Sequence, residues 1–387
     1  MCKLKYILLP MLAASISACT YIDDYAFGKD NTPKPNPLPQ IQVKKTVHLD
    51  WSVSLDGFKK QGMNADLVPY ISNHKVYAAT PQGKIYALTE ANGRILWQTD
   101  LHQSLLAGPV ISGDKMIVTG DDAAIYILKL ENGALLHRIG VANDVMSKPY
   151  IYHQKIYVKT ITGVVYCIDL QTGHKDWKYE HSTSEIILKA SSSPVYYKNM
   201  ILAGFSDGSL VGLEPTKGHP IFTQHISYAR GVSEVERLND VDTNPLIEQD
   251  RLYIASYQGD IGAYSISDSD FIWKKPASTY HDLSFVDENL VMVSSKDVIW
   301  AYQKQTGQTL WTQNQLKARR LTAPVTWKRI IWVGDALGYL HGVSPQTGQF
   351  VAQLKLPGGM VAAPVIEGNH AWVMTTNGQL HRLSLEK

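Results

Sequence analysis

Cysteines, long apolar runs and an excess of one charge are what this chain of 387 residues has least of. Its three cysteines, at positions 2, 19 and 167, are too few for the disulfide framework of a small secreted domain. Lys and Arg number 37 against 35 Asp and Glu. Without a basic run there is no footprint for a phosphate backbone, and nucleic acid is not expected as a partner. No run of about 18 apolar residues occurs, so no spanning helix is expected. HExxH, CxxC and a phosphate-cradling glycine loop are all missing, which removes the commonest zinc-protease, redox and nucleotide signatures. The 13 histidines are scattered without ligand spacing and read as surface or turn residues.

What apolar sequence there is at the amino end has a recognisable order. Lys3 and Lys5 precede an apolar segment over residues 6–16, and the small residues Ser17 and Ala18 lead to Cys19. A short positive region, an apolar centre and a small-residue boundary make a secretory signal. The segment includes Pro10 and is too short to cross a ~30 Å hydrocarbon core, so cleavage is expected. Ile16-Ser17-Ala18-Cys19 resembles the bacterial lipobox, which implies that Cys19 is acylated and becomes the first residue of the mature chain; an ordinary signal with a chance cysteine is the alternative. One acyl chain holds a membrane only marginally, but lipoproteins of this kind carry three, and each buried CH₂ contributes ~0.8 kcal/mol. Thr20, where retention in the inner membrane would call for Asp, implies sorting to the outer membrane. Loss of Lys3 and Lys5 brings Lys plus Arg from 37 to 35, equal to Asp plus Glu, so the mature chain is formally neutral. Cys2 leaves with the signal and Cys19 is modified, which leaves Cys167 without a partner.

KDNTPKPNPLPQIQVKK follows, with Pro33, Pro35, Pro37 and Pro39 at alternate positions. Such a stretch forms neither helix nor central strand and reads as an extended linker. About twenty residues at ~3.1 Å each give a reach of roughly 60 Å. The expected organisation is a signal over 1–18, a lipidated tether over 19–42 and a folded body over 43–387.

That body repeats. GKIYALTEANGRILW (83–97), GVVYCIDLQTGHKDW (163–177) and DVIWAYQKQTGQTLW (297–311) each show an apolar strand, a polar step, a glycine turn and a strand ending on an aromatic. Pro69, Pro109, Pro149, Pro194, Pro245, Ser284, Pro324 and Pro364 set the phase, at intervals of 40, 40, 45, 51, 39, 40 and 40. Helical spacing of apolar residues is absent, so eight units of about 40 residues predict an all-β, eight-bladed propeller with four strands per blade. In the first unit the strands are expected at 67–71, 75–80, 84–90 and 94–100. The eighth unit ends without a fourth strand, and TVHLDWSVSL (46–55) has the fourth-strand pattern, so the amino-terminal strand should close the ring. Trp51, Trp97, Trp177, Trp273 and Trp311 share one column and read as wedges between sheets. Cys167 shares another with Ala87, Gly212, Ala263, Ala301 and Gly342, a column that wants a small residue, so it is a buried filler and not a nucleophile.

These repeats resemble those of the PQQ-type propeller proteins, and lipobox, Pro-rich tether and eight short blades together are similar to the BamB family, lipoproteins of the outer-membrane β-barrel assembly (BAM) machinery. The resemblance spans the mature chain. Quinoprotein dehydrogenases share the repeats, but their long loop insertions and vicinal cysteine pair are missing here, and blades this short leave no length for a cap. Neither PQQ nor any other cofactor is expected. Asp240-Val-Asp-Thr-Asn-Pro245 starts like a calcium loop but has Pro245 where glycine is needed and Arg251 where the final glutamate belongs, so no metal is expected either.

Function should lie where the period is broken. The two enlarged intervals place extra residues in EHSTSEIILKASSS (180–193) and ISYARGVSEVERLNDVDT (226–243), which flank the fourth blade on one face. Ile186, Ile187 and Leu188 beside Glu234, Glu236, Arg237, Asp240 and Asp242 have the composition of a protein-binding patch, an apolar centre with a charged rim. The other reading is a longer inner strand beside solvated acids. The resemblance implies that these loops contact a periplasmic POTRA domain of the barrel-inserting subunit, at positions matching Ile186, Leu188, Lys189, Asp240 and Asp242. Lys189 stands where the family commonly has arginine, and lysine lacks the planar fork of donors. The expectation is a non-catalytic scaffold, lipid-anchored on the periplasmic face of the outer membrane, which supports delivery of unfolded barrel precursors. A periplasmic quinoprotein-like or sugar-binding enzyme using the axial funnel is the alternative.

Overall fold

A computed structural model of the chain describes residues 33–58, 66–181, 192–227, 241, 243–360 and 362–386. These form eight sheets, antiparallel but for one short parallel pairing, with no helix among the described residues. Each sheet is a blade whose strands, A innermost to D outermost, follow one another in sequence. Blade 1 consists of Tyr70–Ser72, Lys75–Ala79, Lys84–Thr89 and Ile95–Asp100. Blades 2 to 7 repeat it over 105–140, 150–180, 195–225, 246–277, 284–313 and 325–355. Blade 8 takes A, B and C from Val365–Glu367, His370–Met374 and Gln379–Leu385 and its D strand from Val47–Ser54, which pairs with the C strand from Val47 opposite Leu385 to Ser54 opposite Gln379. The chain is thus an eight-bladed propeller closed by its amino-terminal strand, as the repeat predicts.

B and C strands are the core. Val76, Ala78, Ile85, Ala87 and Leu88 in blade 1 are fully buried, as are their counterparts round the ring, whereas D strands alternate exposed and half-buried residues. The period-2 pattern of D and the continuous apolar runs of B and C follow from this: B and C are covered on both faces by neighbouring blades.

One register accounts for both columns seen in the sequence. Opposite five of the six small residues of strand C stands the aromatic of strand D: Ala87 faces Trp97, Cys167 faces Trp177, Gly212 faces Phe222, Ala263 faces Trp273 and Ala301 faces Trp311, while Gly342 faces Ala352 and Trp51 faces Arg382. The register slips immediately afterwards in each of those five blades, at a bulge that turns the aromatic ring toward the next blade. There the tryptophan rings lie on the glycine of the next C–D turn; the turn that follows Phe222, residues 266–269, has none. A Cβ on Gly93, Gly133, Gly218, Gly307 or Gly348 would meet the indole of Trp51, Trp97, Trp177, Trp273 or Trp311 at 2.4–2.9 Å, and all five glycines have φ near +70°. Four of the indoles also donate Nε1–H to a carbonyl of that turn, from Trp51 to Glu90 at 3.0 Å, Trp177 to Pro215 at 2.9 Å, Trp273 to Lys304 at 2.8 Å and Trp311 to Pro345 at 2.8 Å. On blade 2 His137 takes the column, with Nε2 3.0 Å from the Gln171 carbonyl. Cys167 is 1 % exposed and burial pushes its thiol up to about 12, which makes it a poor nucleophile.

Two stretches depart from expectation. The strand expected at 67–71 is divided: Asp66 and Leu67 pair in parallel with Ala107 and Gly108 of blade 2, and blade 1 begins at Tyr70. Pro69 has no N–H to continue the pairing, and the chain crosses between sheets after Val68, whose N–H donates to the Gly108 carbonyl at 3.1 Å. The tether, expected to extend through residue 42, meets the body earlier. From Asn36 onward the chain belongs to the propeller unit: Asn36 N–H donates to the Lys317 carbonyl at 2.9 Å, Ile41 packs on the apolar seam between blades 6 and 7, and the N–H groups of Lys44 and Lys45 both donate to the Val351 carbonyl. Alternate prolines keep this piece extended without competing for these bonds.

The indole-on-glycine contact predicts that Trp177→Ala lowers stability by about 3–5 kcal/mol in chemical denaturation. Gly218→Ala should destabilise too, because its methyl would fall 2.4 Å from Trp177 at φ +71°. Wild-type stability in both variants would show that the seam does not depend on this contact.

Candidate functional site

Connections from a D strand to the next A strand share a face with the B–C turns. Leu101 N–H bonds the Gly83 carbonyl, His181 that of Gly163, Ile226 that of Gly208 and Leu356 that of Gly338, each joining the end of D to the B–C turn of its own blade. The two insertions therefore rise from one face. Ile186, Leu188, Lys189, Asp240 and Asp242 lie outside the described residues, as does Cys19. What the structure does describe is where the insertions start and end.

Three of the four ends bond one feature, the B–C turn of blade 4 (205–208), and the fourth is tied to them through Val241. The last described residue before the first insertion, His181, stacks on Phe205 with ring centroids 4.1 Å apart and places Nε2 2.9 Å from Asp207 Oδ2. After that insertion Ser192 Oγ donates to the Val241 carbonyl at 2.9 Å, and Ser193 N–H donates to Asn244 Oδ1 at 2.6 Å. The second insertion leaves from Ser227, whose N–H bonds the Gly208 carbonyl, and returns at Val241, whose N–H donates to the Phe205 carbonyl at 3.2 Å. Val241 is 1 % exposed and packs with Leu202, Leu210 and Ile254, an apolar peg at the end of the second insertion.

Beneath this junction lies Lys159, 6 % exposed, its Nζ 3.1 Å from Ser192 Oγ, bonded to the Gly204 carbonyl and 5.6 Å from the centre of the Phe205 ring. It ends strand B of blade 3, where the other blades carry Ala79, Thr119, Gly204, Ala255, Val293, Gly334 and Met374. A lysine in a column of small and apolar residues is the sequence signal for this site, and reading the intervals alone misses it.

Ser209, His181 and Asp207 together have the composition of a catalytic triad but not its geometry. Ser209 Oγ, at 3.2 Å, and Asp207 Oδ2 approach the same ring nitrogen, Nε2, whereas a hydroxyl and its orienting carboxylate belong on opposite nitrogens. Ser209 is buried and also donates to Asp207 Oδ1 at 2.5 Å. Burial alone would raise the Asp207 carboxyl; the hydrogen bonds from His181 and Ser209 outweigh it and hold the group at about 2. The cluster fixes the root of the first insertion.

Near the axis, Asn244 donates N–H and Nδ2 to the two oxygens of Asp282 at 2.8 and 2.9 Å, and Lys148 stands 3.7 Å from Asp66. Burial raises the Asp282 carboxyl, against the pull of the Asn244 amide and Lys148. Asn244 would be the third oxygen ligand of the calcium-like stretch, and its side chain is engaged by Asp282 and Ser193. Among the described residues no cluster of three His, Cys, Asp or Glu is placed to hold a metal ion.

The family model described as "Outer membrane protein assembly factor BamB" matches residues 48–136 and 81–313. A protein of that name from Legionella pneumophila is 44% identical over 379 residues, 98% of this chain and 99% of its own. One from Pseudomonas aeruginosa is 35% identical over 381 residues, 98% of each. Among solved structures, BamB from Moraxella catarrhalis superposes with a TM-score of 0.80 at 22% identity, covering 88% of this chain and 100% of its own. A quinohemoprotein alcohol dehydrogenase from Comamonas testosteroni superposes at 0.71 with 11% identity, covering 87% and 76%; that likeness is one of fold. With a matching family model and near full-length relatives, this chain belongs to the BamB family of outer membrane protein assembly factors.

Proposed function

We propose that this chain is a non-catalytic scaffold lipoprotein, anchored through Cys19 to the periplasmic face of the outer membrane, that docks on a POTRA domain of the barrel-inserting subunit of the BAM complex and supports folding and insertion of outer-membrane proteins. The docking surface is the pair of insertions flanking blade 4, with Ile186 and Leu188 as apolar anchors and Lys189, Asp240 and Asp242 as the charged rim. The observation that carries this reading is the common footing: His181, Ser227 and Val241 bond the B–C turn of blade 4 directly, and Ser192 joins them through the Val241 carbonyl. Two long connections rooted within hydrogen-bonding distance of each other supply one surface, which is what a protein partner needs. The names of the relatives support the assembly role. The enzyme alternative is not favoured: those relatives are named as assembly factors, and the one triad-like cluster among the described residues has its hydroxyl and carboxylate on the same nitrogen.

Leu188→Asp replaces an apolar anchor with a carboxylate, two changes worth about 1–3 kcal/mol each in a desolvated interface. Pull-down of the barrel-inserting subunit should fall at least tenfold while thermal unfolding stays within a few degrees of wild type. Asp240→Asn and Asp242→Asn should weaken docking most at low salt, since they act through charge at the rim. Early melting of Leu188→Asp would assign the residue to the core, and normal melting with full binding would place docking elsewhere.

Cys19→Ser should abolish incorporation of labelled palmitate and release the protein from membranes; equal labelling of the variant would exclude Cys19 as the attachment point. Titration of the purified protein with PQQ in the presence of calcium should give no saturable heat. A one-to-one isotherm at micromolar concentration would favour the enzyme alternative.

A further inference from the structure

The segment from Asn36 to Lys45 runs over the outside of the ring and is fixed at both ends and in the middle. At one end Asn36 gives its N–H to the Lys317 carbonyl and accepts, on its own carbonyl, the Nη1–H of Arg319 at 2.9 Å. In the middle Ile41 lies on the seam formed by Trp311, Leu316, Leu321 and Phe350 of blades 6 and 7. At the other end two consecutive amides share the Val351 carbonyl on the outer edge of blade 7, at 2.8 and 3.0 Å, just before the chain enters the closing strand at Val47.

Arg319 is itself held in place. It is 3 % exposed, and its Nε–H donates to Asp335 Oδ2 at 2.7 Å; the same oxygen lies 3.1 Å from His341 Nε2, and His341 Nδ1 is 3.2 Å from Gln353 Nε2. Asp335 and His341 are fully buried. At the Asp335 position other blades carry Thr80, Thr160, Ser256 and Ser294, whose hydroxyls accept one backbone N–H across the B–C turn. Asp335 keeps that task through Oδ1, which accepts from Tyr339 at 2.8 Å, and uses its second oxygen for the guanidinium. An acid in a hydroxyl column and a buried arginine aimed at a main-chain carbonyl far back in the sequence are more than the blade needs; their joint product is a fixed Asn36.

We infer that residues 36–45 are a strap, pinned by Arg319 and Ile41, that sets the point at which the lipid tether leaves the propeller. The strap acts on both the length and the position of the tether, and each effect rests on the proposed acylation of Cys19 and docking through the insertions. The free tether is shortened to residues 19–35, about 17 residues with a reach of roughly 50 Å at ~3.1 Å each. The departure point also lies on the connector between blades 6 and 7, hence on the face that carries the insertions, two blades round the ring from the second. The point of departure and the roots of both insertions therefore share one face, and the tether length limits how far that point stands from the bilayer.

The strap is tested on the full lipidated protein in detergent, by hydrogen exchange of peptides covering 36–45. Wild type should exchange at least tenfold more slowly than an unstructured chain. Ile41→Asp, which leaves the buried ionic network untouched, should bring exchange to the unstructured rate with melting within a few degrees of wild type. Arg319→Met should also release the strap, and Ile41→Asp keeps the test valid if that variant fails to fold. Unprotected exchange in wild type, or unchanged protection in Ile41→Asp, overturns the strap. The reach is tested in cells by deleting residues 24–31, which should reduce co-purification of the barrel-inserting subunit, and by adding Ile41→Asp, which should restore it by returning the strap to the tether. Failure to restore, with release established by exchange, overturns the assignment of reach. Failure of the undeleted chain to co-purify that subunit counts against the docking reading and leaves the exchange result standing.

Discussion

An indole laid on a glycine is the contact on which this ring depends. Strand D of one blade carries the aromatic, the C–D turn of the next carries the glycine, and five tryptophans repeat the pair round the molecule. Each part dictates another. The turn must approach the ring face within van der Waals distance while holding a left-handed φ, a combination that only glycine permits. Opposite the indole on strand C stands a small residue in four blades, Ala87, Cys167, Ala263 and Ala301, whereas Trp51 faces Arg382. The bulge after that pair turns the strand so that the ring leaves its own sheet and reaches the next. Closure uses the same device: Trp51, on the strand from the other end of the chain, lies against Gly93 of blade 1 and bonds Glu90.

Against this regularity, buried charges mark where the ring has been fitted to something else. A buried ion pair contributes little to stability relative to well-packed apolar residues, so its use is better sought in what it fixes. Lys159 joins Ser192 and the Gly204 carbonyl under the two insertions. Arg319, with Asp335 and His341, holds Asn36. Burial alone would raise the Asp335 carboxyl, and the bonds from His341, Tyr339 and Arg319 keep it below the usual carboxylate range, so it stays ionised opposite the guanidinium at neutral pH. Both networks serve segments outside the four-strand repeat.

The repeat is legible in the sequence because a turn recurring at a nearly constant interval leaves glycine, proline and tryptophan at fixed offsets, each required by backbone conformation or close approach. The closing strand is legible for the same reason, Trp51 being in phase with the rest. The start of blade 1 is not, since Asp66 and Leu67 look like the beginning of the strand that resumes at Tyr70 and only the missing N–H of Pro69 separates them. Nor is the strap: alternating prolines describe an extended chain equally well whether it is free or laid along a protein, and its partners, Lys317, Arg319 and Val351, lie toward the opposite end of the sequence. For the candidate site, the interval lengths locate the insertions, while Lys159, His181 and Asp207 stay hidden. Their roles come from contacts between blades, and lysine, histidine and aspartate on a strand end or turn have many other uses.

The two faces of the ring are not equivalent, and this explains where its individuality lies. On the C–D face the turns that receive the preceding blade's aromatic have their length and their glycine set by packing, and an insertion there would pull apart a seam. The D–A connections on the other face have only to bridge neighbouring blades and bond the nearby B–C turn, as Leu101, His181, Ile226 and Leu356 do. They lengthen without disturbing a sheet, because loop closure costs only about 0.6 kcal/mol for each doubling of length. The roots of both insertions, the buried Lys159 beside them and the pin that holds Asn36 are on that face. A scaffold built by closing a repeat on itself thus keeps one side for its own assembly and leaves the other free to acquire partners.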